Sequence, residues 1–169
     1  MLNKKKKGFT LIELMIVLAI IAILAVVLIP KAGTMKDSAK SAGVSTNVNS
    51  VRAILETKVM NDKYLGDATE TQAILNKTFT GENAIANPFT KDESVSAEVT
   101  VLTSDNENAI VVYDAVNGAT TVNIPETIPT VTTTDGANEG VVFVMVYSDG
   151  FVVEGIDQNG DIVGQQIVK

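Results

Sequence analysis

The sequence of 169 residues contains no cysteine, no histidine and no tryptophan. Without cysteine the chain forms no disulfide. Without cysteine or histidine it lacks the nucleophile and base pairs of common hydrolases and the usual ligands of a zinc site. We therefore predict that the protein is not an enzyme, that it needs no cofactor, and that it holds no metal.

Basic residues are also scarce, and they are unevenly placed. The chain has 13 lysines and arginines against 20 aspartates and glutamates, and four of the lysines are Lys4 to Lys7. From Phe9 onwards 9 basic residues stand against 20 acidic ones, a net charge of −11. Because nucleic-acid affinity depends largely on lysines and arginines that neutralise phosphates, no direct nucleic-acid site is predicted. An acidic domain favours solubility and repulsion between copies.

One stretch near the start is almost wholly apolar. From Phe9 to Ile29 only Thr10 and Glu13 are polar, and the run stops at Pro30. About 20 helical residues, at ~1.5 Å rise each, cross the ~30 Å hydrocarbon core of a bilayer. This run is longer than the apolar core of a secretory signal peptide, which usually has about 7 to 15 residues. The sequence predicts a membrane-spanning helix.

The flanking charges predict the orientation of this helix. The lysine run lies on its N-terminal side only, and by the positive-inside rule that end stays in the cytoplasm. Everything after Pro30 is then expected outside the cell membrane.

Glu13 is unusual for a plain membrane anchor. A carboxylate at the centre of a spanning helix costs roughly 2.5 to 3.5 kcal/mol on insertion scales, and less near an interface. Two explanations remain open from position alone. Either the side chain reaches the cytoplasmic head groups beside the lysines, or it pairs with a cation from elsewhere.

The segment Gly8-Phe9-Thr10-Leu11-Ile12-Glu13, after the lysine run, closely resembles the start of a type IV prepilin. The resemblance implies that residues 1–8 are a leader, that a prepilin peptidase cuts between Gly8 and Phe9, and that the new N-terminal Phe9 is methylated. It also implies that Glu13 pairs with the freed amine of Phe9 on a neighbouring subunit. Such a pair offsets the cost of desolvating each charge, whereas an unpaired charge is penalised. The pair would therefore set the register between neighbouring subunits more than add stability.

The resemblance further implies the function and the partners. The chain would be the structural subunit of a type IV pilus, a single-pass membrane precursor that becomes part of an extracellular filament for adhesion or twitching motility. Its partners would be membrane lipid before assembly, other copies of itself afterwards, the peptidase, and the assembly platform and motor proteins. The sequence has no phosphate-binding loop, so the energy for pilus assembly is expected to come from the separate motor proteins.

Two alternatives remain. A pseudopilin of a type II secretion or DNA-uptake machine shares this N-terminus but builds a short piston. An uncleaved membrane-anchored binding module would instead keep its lysine leader.

Beyond Pro30 the helix is predicted to continue as an amphipathic segment over 31–61. Its apolar positions recur every three or four residues and form one stripe, Val44, Val48, Val51, Leu55 and Val59. Pro30 and Gly33 weaken the helix and predict a kink there, or local melting as far as Gly43. Alternatively, the small residues around Gly33 and Gly43 allow close helix packing.

The remaining residues, 62–169, are predicted to form a globular head with a connector (62–93) and a sheet (94–169). Asn61, Asp62 and Gly66 are expected to end the long helix. In the connector, Asp67 with Glu70 three positions later outlines a capping box for a short helix as far as about Asn76.

From Ser94 the apolar period changes to two, which is typical of strands. Six strand segments are predicted, and the third is a short edge strand: 95–101, 109–113, 120–124, 141–147, 151–156 and 161–168. Asn117-Gly118, Asp149-Gly150 and Asn159-Gly160 are turn signals, and the last two predict an antiparallel C-terminal meander. The fold class is therefore α+β, a long N-terminal helix packed on an antiparallel sheet, which the resemblance identifies with the pilin fold.

Overall fold

The structure is a computed structural model and describes residues 8–59, 67–98, 107–116, 121–128 and 138–169. The helices within these ranges are α1 (Leu11–Val59), α2 (Ala68–Thr78) and a 3₁₀ turn (Gly81–Asn83). The strands are β1 (Val95–Glu98), β2 (Ile110–Asp114), β3 (Val142–Tyr147), β4 (Gly150–Ile156) and β5 (Ile162–Val168). The chain divides into two compact units, Met1–Ser38 and Ala39–Lys169.

In the second unit, α1 packs through the predicted stripe. Val44, Val48 and Val51 are completely buried, and Leu55 is almost completely buried. Val59 is partly buried against the hydrophobic core of the head. Their spacing places them on one side of the helix, where they meet the apolar residues of one sheet face. The inner-face residues are Ile110, Val112, Val142, Val144, Val146, Phe151, Val153 and Val168. The stripe and its cover are confirmed.

The five strands form one sheet in the order β1-β2-β3-β4-β5. The β3–β4 and β4–β5 pairs are antiparallel, as the meander predicted. The β1–β2 and β2–β3 pairs are parallel, which differs from the predicted antiparallel sheet. The reason is connection length: a two-residue turn forces its strands to run antiparallel, whereas the long segments before β2 and before β3 permit a crossover. The α+β class itself is confirmed.

The meander follows the predicted turns. β3 is the central strand, and all six of its residues are buried. Between β4 and β5 the carboxylate of Asp157 accepts hydrogen bonds from the backbone N–H groups of Asn159 and Asp161, and the Gly160 N–H donates to the Asp157 carbonyl at 3.2 Å. These bonds make Asp157 to Asp161 a hairpin turn.

The outer face of the sheet carries a second apolar cluster that includes Phe143 and Tyr147. Part of segment 121–128 packs against it through Val122, Ile124 and Ile128. The predicted edge strand 120–124 is wrong over its described residues 121–124, which are irregular. The N–H groups of Val122 and Ile124 donate to side chains of the β3–β4 turn, and Pro125 then has no N–H to donate to a ladder.

Asp67 caps α2, since its side chain accepts the backbone N–H of Glu70 at 2.9 Å, and α2 continues to Thr78. Several predictions lie outside the described residues: the leader before Gly8, the end of the long helix at Asn61 to Gly66, the Asn117-Gly118 turn and the end of the first strand after Glu98. The domain boundaries at 30, 61 and 93 stay predictions.

Candidate processing and assembly site

The first residues of the described chain are not helical. Gly8, Phe9 and Thr10 precede α1, which begins at Leu11. The Phe9 side chain is 88% exposed. The peptide bond between Gly8 and Phe9, the predicted cleavage site, therefore lies in non-helical backbone just before the helix.

Thr10 and Glu13 form a reciprocal capping box at this helix start. The Thr10 N–H and the Thr10 hydroxyl both donate to the same carboxylate oxygen of Glu13, each at 2.8 Å. In return the Glu13 N–H donates to the Thr10 Oγ at 3.3 Å. The first helical backbone bond runs from the Leu14 N–H to the Thr10 carbonyl. This arrangement satisfies donors that a helix N-terminus otherwise leaves without partners.

The capping box gives the Glu13 carboxylate hydrogen-bond donors at the start of an otherwise apolar helix. Within a single chain Glu13 is held by Thr10, a partner that sequence reasoning missed. The signal was available, because threonine followed by glutamate three residues later is the capping-box pattern. The pairing of Glu13 with the Phe9 amine of another subunit concerns an assembled filament and stays a prediction.

The side chains of the apolar run that follows are exposed. Residues 11–28 form a helical segment that is long and apolar enough to cross a membrane, and its large side chains are about half to three-quarters exposed. Burial inside this chain therefore does not account for the segment. Its surface suits lipid or other copies of the same helix.

The backbone of α1 is helical through Pro30, Gly33 and Gly43, so the local melting expected there is not observed. A kink at Pro30 and Gly33 stays a prediction. An added Cβ on Gly33 would contact nothing, whereas one on Gly43 would approach Pro88 to 3.1 Å. Within this chain, Gly43 thus packs closely against the connector, and close packing between helices stays a prediction.

The connector is fastened to α1 at three points. Pro88 lies against Gly43, the Asn47 side chain donates to the Ala86 carbonyl at 3.0 Å, and the Lys40 ammonium lies 4.6 Å from the centre of the Phe89 ring. These contacts hold the start of the second unit's helix against the head.

Asn87 is a second residue that sequence reasoning missed. Its side chain is completely buried. The side-chain NH₂ donates to three carbonyls, those of Glu107, Asn108 and Glu139. Its oxygen accepts the N–H groups of Phe89 and Thr90. Only the following proline marked this asparagine in the sequence, as part of a turn.

The outcome for the predicted site residues is clear. Gly8, Phe9 and Glu13 lie together at the start of α1. Pro30 and Gly33 lie farther along the same helix. Among the described residues no cluster of three or more acidic side chains has the arrangement of a metal site.

Comparison with known proteins points to the same region. The family described as "Prokaryotic N-terminal methylation motif" matches residues 3–29. The chain is similar to the type IV major fimbrial protein FimA of Dichelobacter nodosus, with 31% identity over 132 residues that cover 73% of this chain and 80% of FimA. It is also similar to the type IV wide pilus major component PilA4 of Thermus thermophilus, with 38% identity over 97 residues, 51% of this chain and 71% of PilA4.

A third relative is the prepilin peptidase-dependent protein A of Clostridium perfringens. Here the identity is 40% over 67 residues, which cover 40% of this chain and 48% of that protein. No solved structure matches the chain.

Proposed function

Because this chain belongs to the type IV pilin family, we propose that it is cut between Gly8 and Phe9, methylated at Phe9, and assembled into a surface pilus. The observation that carries the proposal is the start of α1. The Gly8–Phe9 bond lies outside the helix, and an apolar helix with exposed side chains follows it directly.

Before assembly, the apolar helix anchors the precursor in the cell membrane with its N-terminus in the cytoplasm. The lysines before Gly8 support this orientation, since positive charges are retained on the cytoplasmic side. The head then lies outside the cytoplasm, where its net negative charge keeps it soluble.

In the pilus, the helices over residues 9–61 form the filament core and the heads form its surface. The freed Phe9 amine pairs with Glu13 of a neighbouring subunit, which offsets the desolvation of both charges in an apolar bundle. A kink at Pro30 and Gly33 adjusts the helix to this packing. The assembly platform and motor proteins supply the energy.

The head has a structural role and no catalytic one. Both faces of its sheet carry apolar clusters, and two of its relatives are named as a type IV major fimbrial protein and a type IV wide pilus major component. The filament serves adhesion or twitching motility through the surface of its heads.

The test is the intact mass of this chain in material sheared from the surface of cells that express it with its own assembly machinery. We expect the mass of Phe9–Lys169 plus one methyl group, found in long filaments. A full-length mass confined to membranes would contradict processing and support an uncleaved anchored binding module. A processed chain without long surface fibres would support a pseudopilin of a secretion or DNA-uptake machine.

A further inference from the structure

We propose that Thr10 is a positioning residue for leader removal: its side chain makes α1 begin at Leu11 and so keeps the Gly8–Phe9 peptide bond outside the helix. The inference rests on the processing proposed above, and it assigns Thr10 a task separate from that of Glu13. It follows from which donors at the helix start are already occupied.

In an α-helix each N–H donates to the carbonyl four residues earlier. If α1 grew by one residue towards the leader, the Glu13 N–H would donate to the carbonyl of Phe9. In the structure that N–H is taken by the Thr10 Oγ. The Thr10 N–H, which would be needed only if the helix reached the carbonyl of residue 6, is taken by the Glu13 carboxylate. The capping box therefore occupies the donor that the first step of helix growth would need.

Loss of the Thr10 hydroxyl would change this balance. The Glu13 N–H would then need another acceptor, and in apolar surroundings a donor without one is penalised. The nearest replacement is the Phe9 carbonyl, which starts the extension. The next helical bond would run from the Ile12 N–H to the carbonyl of Gly8.

The Gly8 carbonyl is the group that a peptidase must attack. A carbonyl in a helix is hydrogen-bonded, and its backbone is shielded by the turn around it. Proteases cut chain that is locally open, and the cleavage rate follows the population of the open form when opening is fast. An intact cap therefore keeps the scissile bond in the open population.

Glu13 contributes differently. The Thr10 Oγ accepts the backbone N–H of residue 13, which is present whatever side chain stands there. Replacement of Glu13 by alanine removes the carboxylate but keeps this bond. Cleavage is thus expected to depend mainly on Thr10, and assembly mainly on Glu13.

The experiment uses the full-length precursor in membranes that contain a prepilin peptidase, and it measures the initial rate of leader removal by intact mass. Thr10→Val keeps the shape of the side chain but removes the hydroxyl. Loss of a cap of this kind is worth ~1 kcal/mol, so the ratio of open to helical chain should fall about fivefold and the cleavage rate by up to the same factor. Thr10→Ser restores a hydroxyl at the same place and is expected within twofold of the wild type.

One further variant serves as a control. Thr46→Val removes another α1 hydroxyl, one that donates to the Ala42 carbonyl far from the cleavage site, and it should be cut at the wild-type rate. Hydrogen exchange at the Ile12 amide gives a second readout, with greater protection expected in Thr10→Val, because the extended helix gives this amide the Gly8 carbonyl as acceptor.

The outcomes separate this inference from the function on which it rests. Wild-type cleavage with an equal rate for Thr10→Val would overturn the role of Thr10 and leave processing intact. A serine variant as slow as the valine variant would also overturn it. Absence of wild-type cleavage would instead contradict the proposed processing.

Discussion

At the scale of single residues, Asn87 ties the connector to the sheet. Its amide reaches the segment before β2 and the segment before β3, while its oxygen shapes its own loop. An added Cβ on Gly140 would clash with this side chain, so the site also requires a glycine there. One buried amide thus joins three segments that are distant in sequence.

Asn87→Ala should therefore destabilise the head. The change leaves buried carbonyl and N–H groups without partners, and each such group costs about 1–3 kcal/mol, so we expect a loss of roughly 3 kcal/mol in the free energy of unfolding. The measurement is urea unfolding of the full chain in detergent, followed by tyrosine fluorescence. Asn83→Ala, an exposed asparagine in the 3₁₀ turn, is the matched control and should be almost neutral. Equal stabilities would contradict the importance of Asn87.

Asp149 is a second residue with a measurable effect, because it joins three segments. One carboxylate oxygen accepts the Ile124 N–H at 2.7 Å, and the other lies 3.0 Å from the Lys169 ammonium. Burial alone would raise the pKa of Asp149, but the Ile124 N–H and Lys169 outweigh it, and its pKa lies below the ordinary 3.8. A lowered folded-state pKa means that the ionised form stabilises the fold.

Asp149→Asn should accordingly make the head less sensitive to acid. The contribution of the carboxylate is complete above its unfolded pKa near 3.8 and is lost as the pH falls through the lower folded-state value. The wild type should exceed the variant in stability at pH 7, and the difference should vanish in stronger acid. The measurement is the urea midpoint of unfolding from pH 2 to 7. Lys169→Met removes the partner of Asp149, and Lys77→Met, a lysine on α2, is its control. A constant difference across this range would contradict the role of the charge.

At the scale of elements, the contact between α1 and the sheet depends on a glycine of β4. An added Cβ on Gly155 would overlap Val44 and lie 2.9 Å from Val48. Both valines belong to the buried stripe of α1. The helix can therefore come this close to β4 at Gly155 because this residue has no side chain.

Gly155→Ala should force α1 away from the strand. Overpacking of this kind costs about 1–3 kcal/mol, and we expect a loss near 2 kcal/mol in the unfolding free energy of the head. Combination with Val44→Ala, which makes room for the new methyl group, should give less than the sum of the two single losses. Gly33→Ala is the control, since nothing lies within 4 Å of its added Cβ. Additive losses would show that Gly155 does not contact Val44.

At the scale of the whole molecule, the apolar run and the acidic head have opposite effects on the association of subunits. The apolar run favours association of helices, whereas the net charge of −11 from Phe9 onwards makes neighbouring subunits repel one another. Higher salt screens this repulsion. In the proposed filament, Glu13, the acidic residue in the apolar run, supplies the specific contact that sets the register of the core helices.

Glu13→Ala should leave membrane insertion intact and impair filament formation. If the proposed pair forms, removal of Glu13 leaves the Phe9 amine desolvated without its counter-charge, and such losses are large enough that filament yield should fall by at least about tenfold. Sheared filament mass per cell measures the effect. Glu56→Ala is the matched control on α1, because its carboxylate lies in the second unit and forms a partly exposed i,i+4 ion pair with Arg52. Normal filaments from Glu13→Ala would refute the pairing.

Local patterns in the sequence determined much of this protein. The apolar run from Phe9, the valine stripe of α1 and the turns at Asp149-Gly150 and Asn159-Gly160 each depend on residues close together in the chain. Periodicity and turn chemistry report such features directly. The resemblance of the residues from Gly8 to Glu13 to a prepilin start supplied the family in the same way.

Only the tertiary structure decided the direction of β1 and β2, the irregular course of segment 121–128, and the roles of Asn87 and Gly155. Alternation shows which side chains of a strand share a face, but it carries no information on the direction of the neighbouring strand. The contacts of Asn87 and Gly155 join residues far apart in the sequence, and such contacts leave no period for a local pattern to detect.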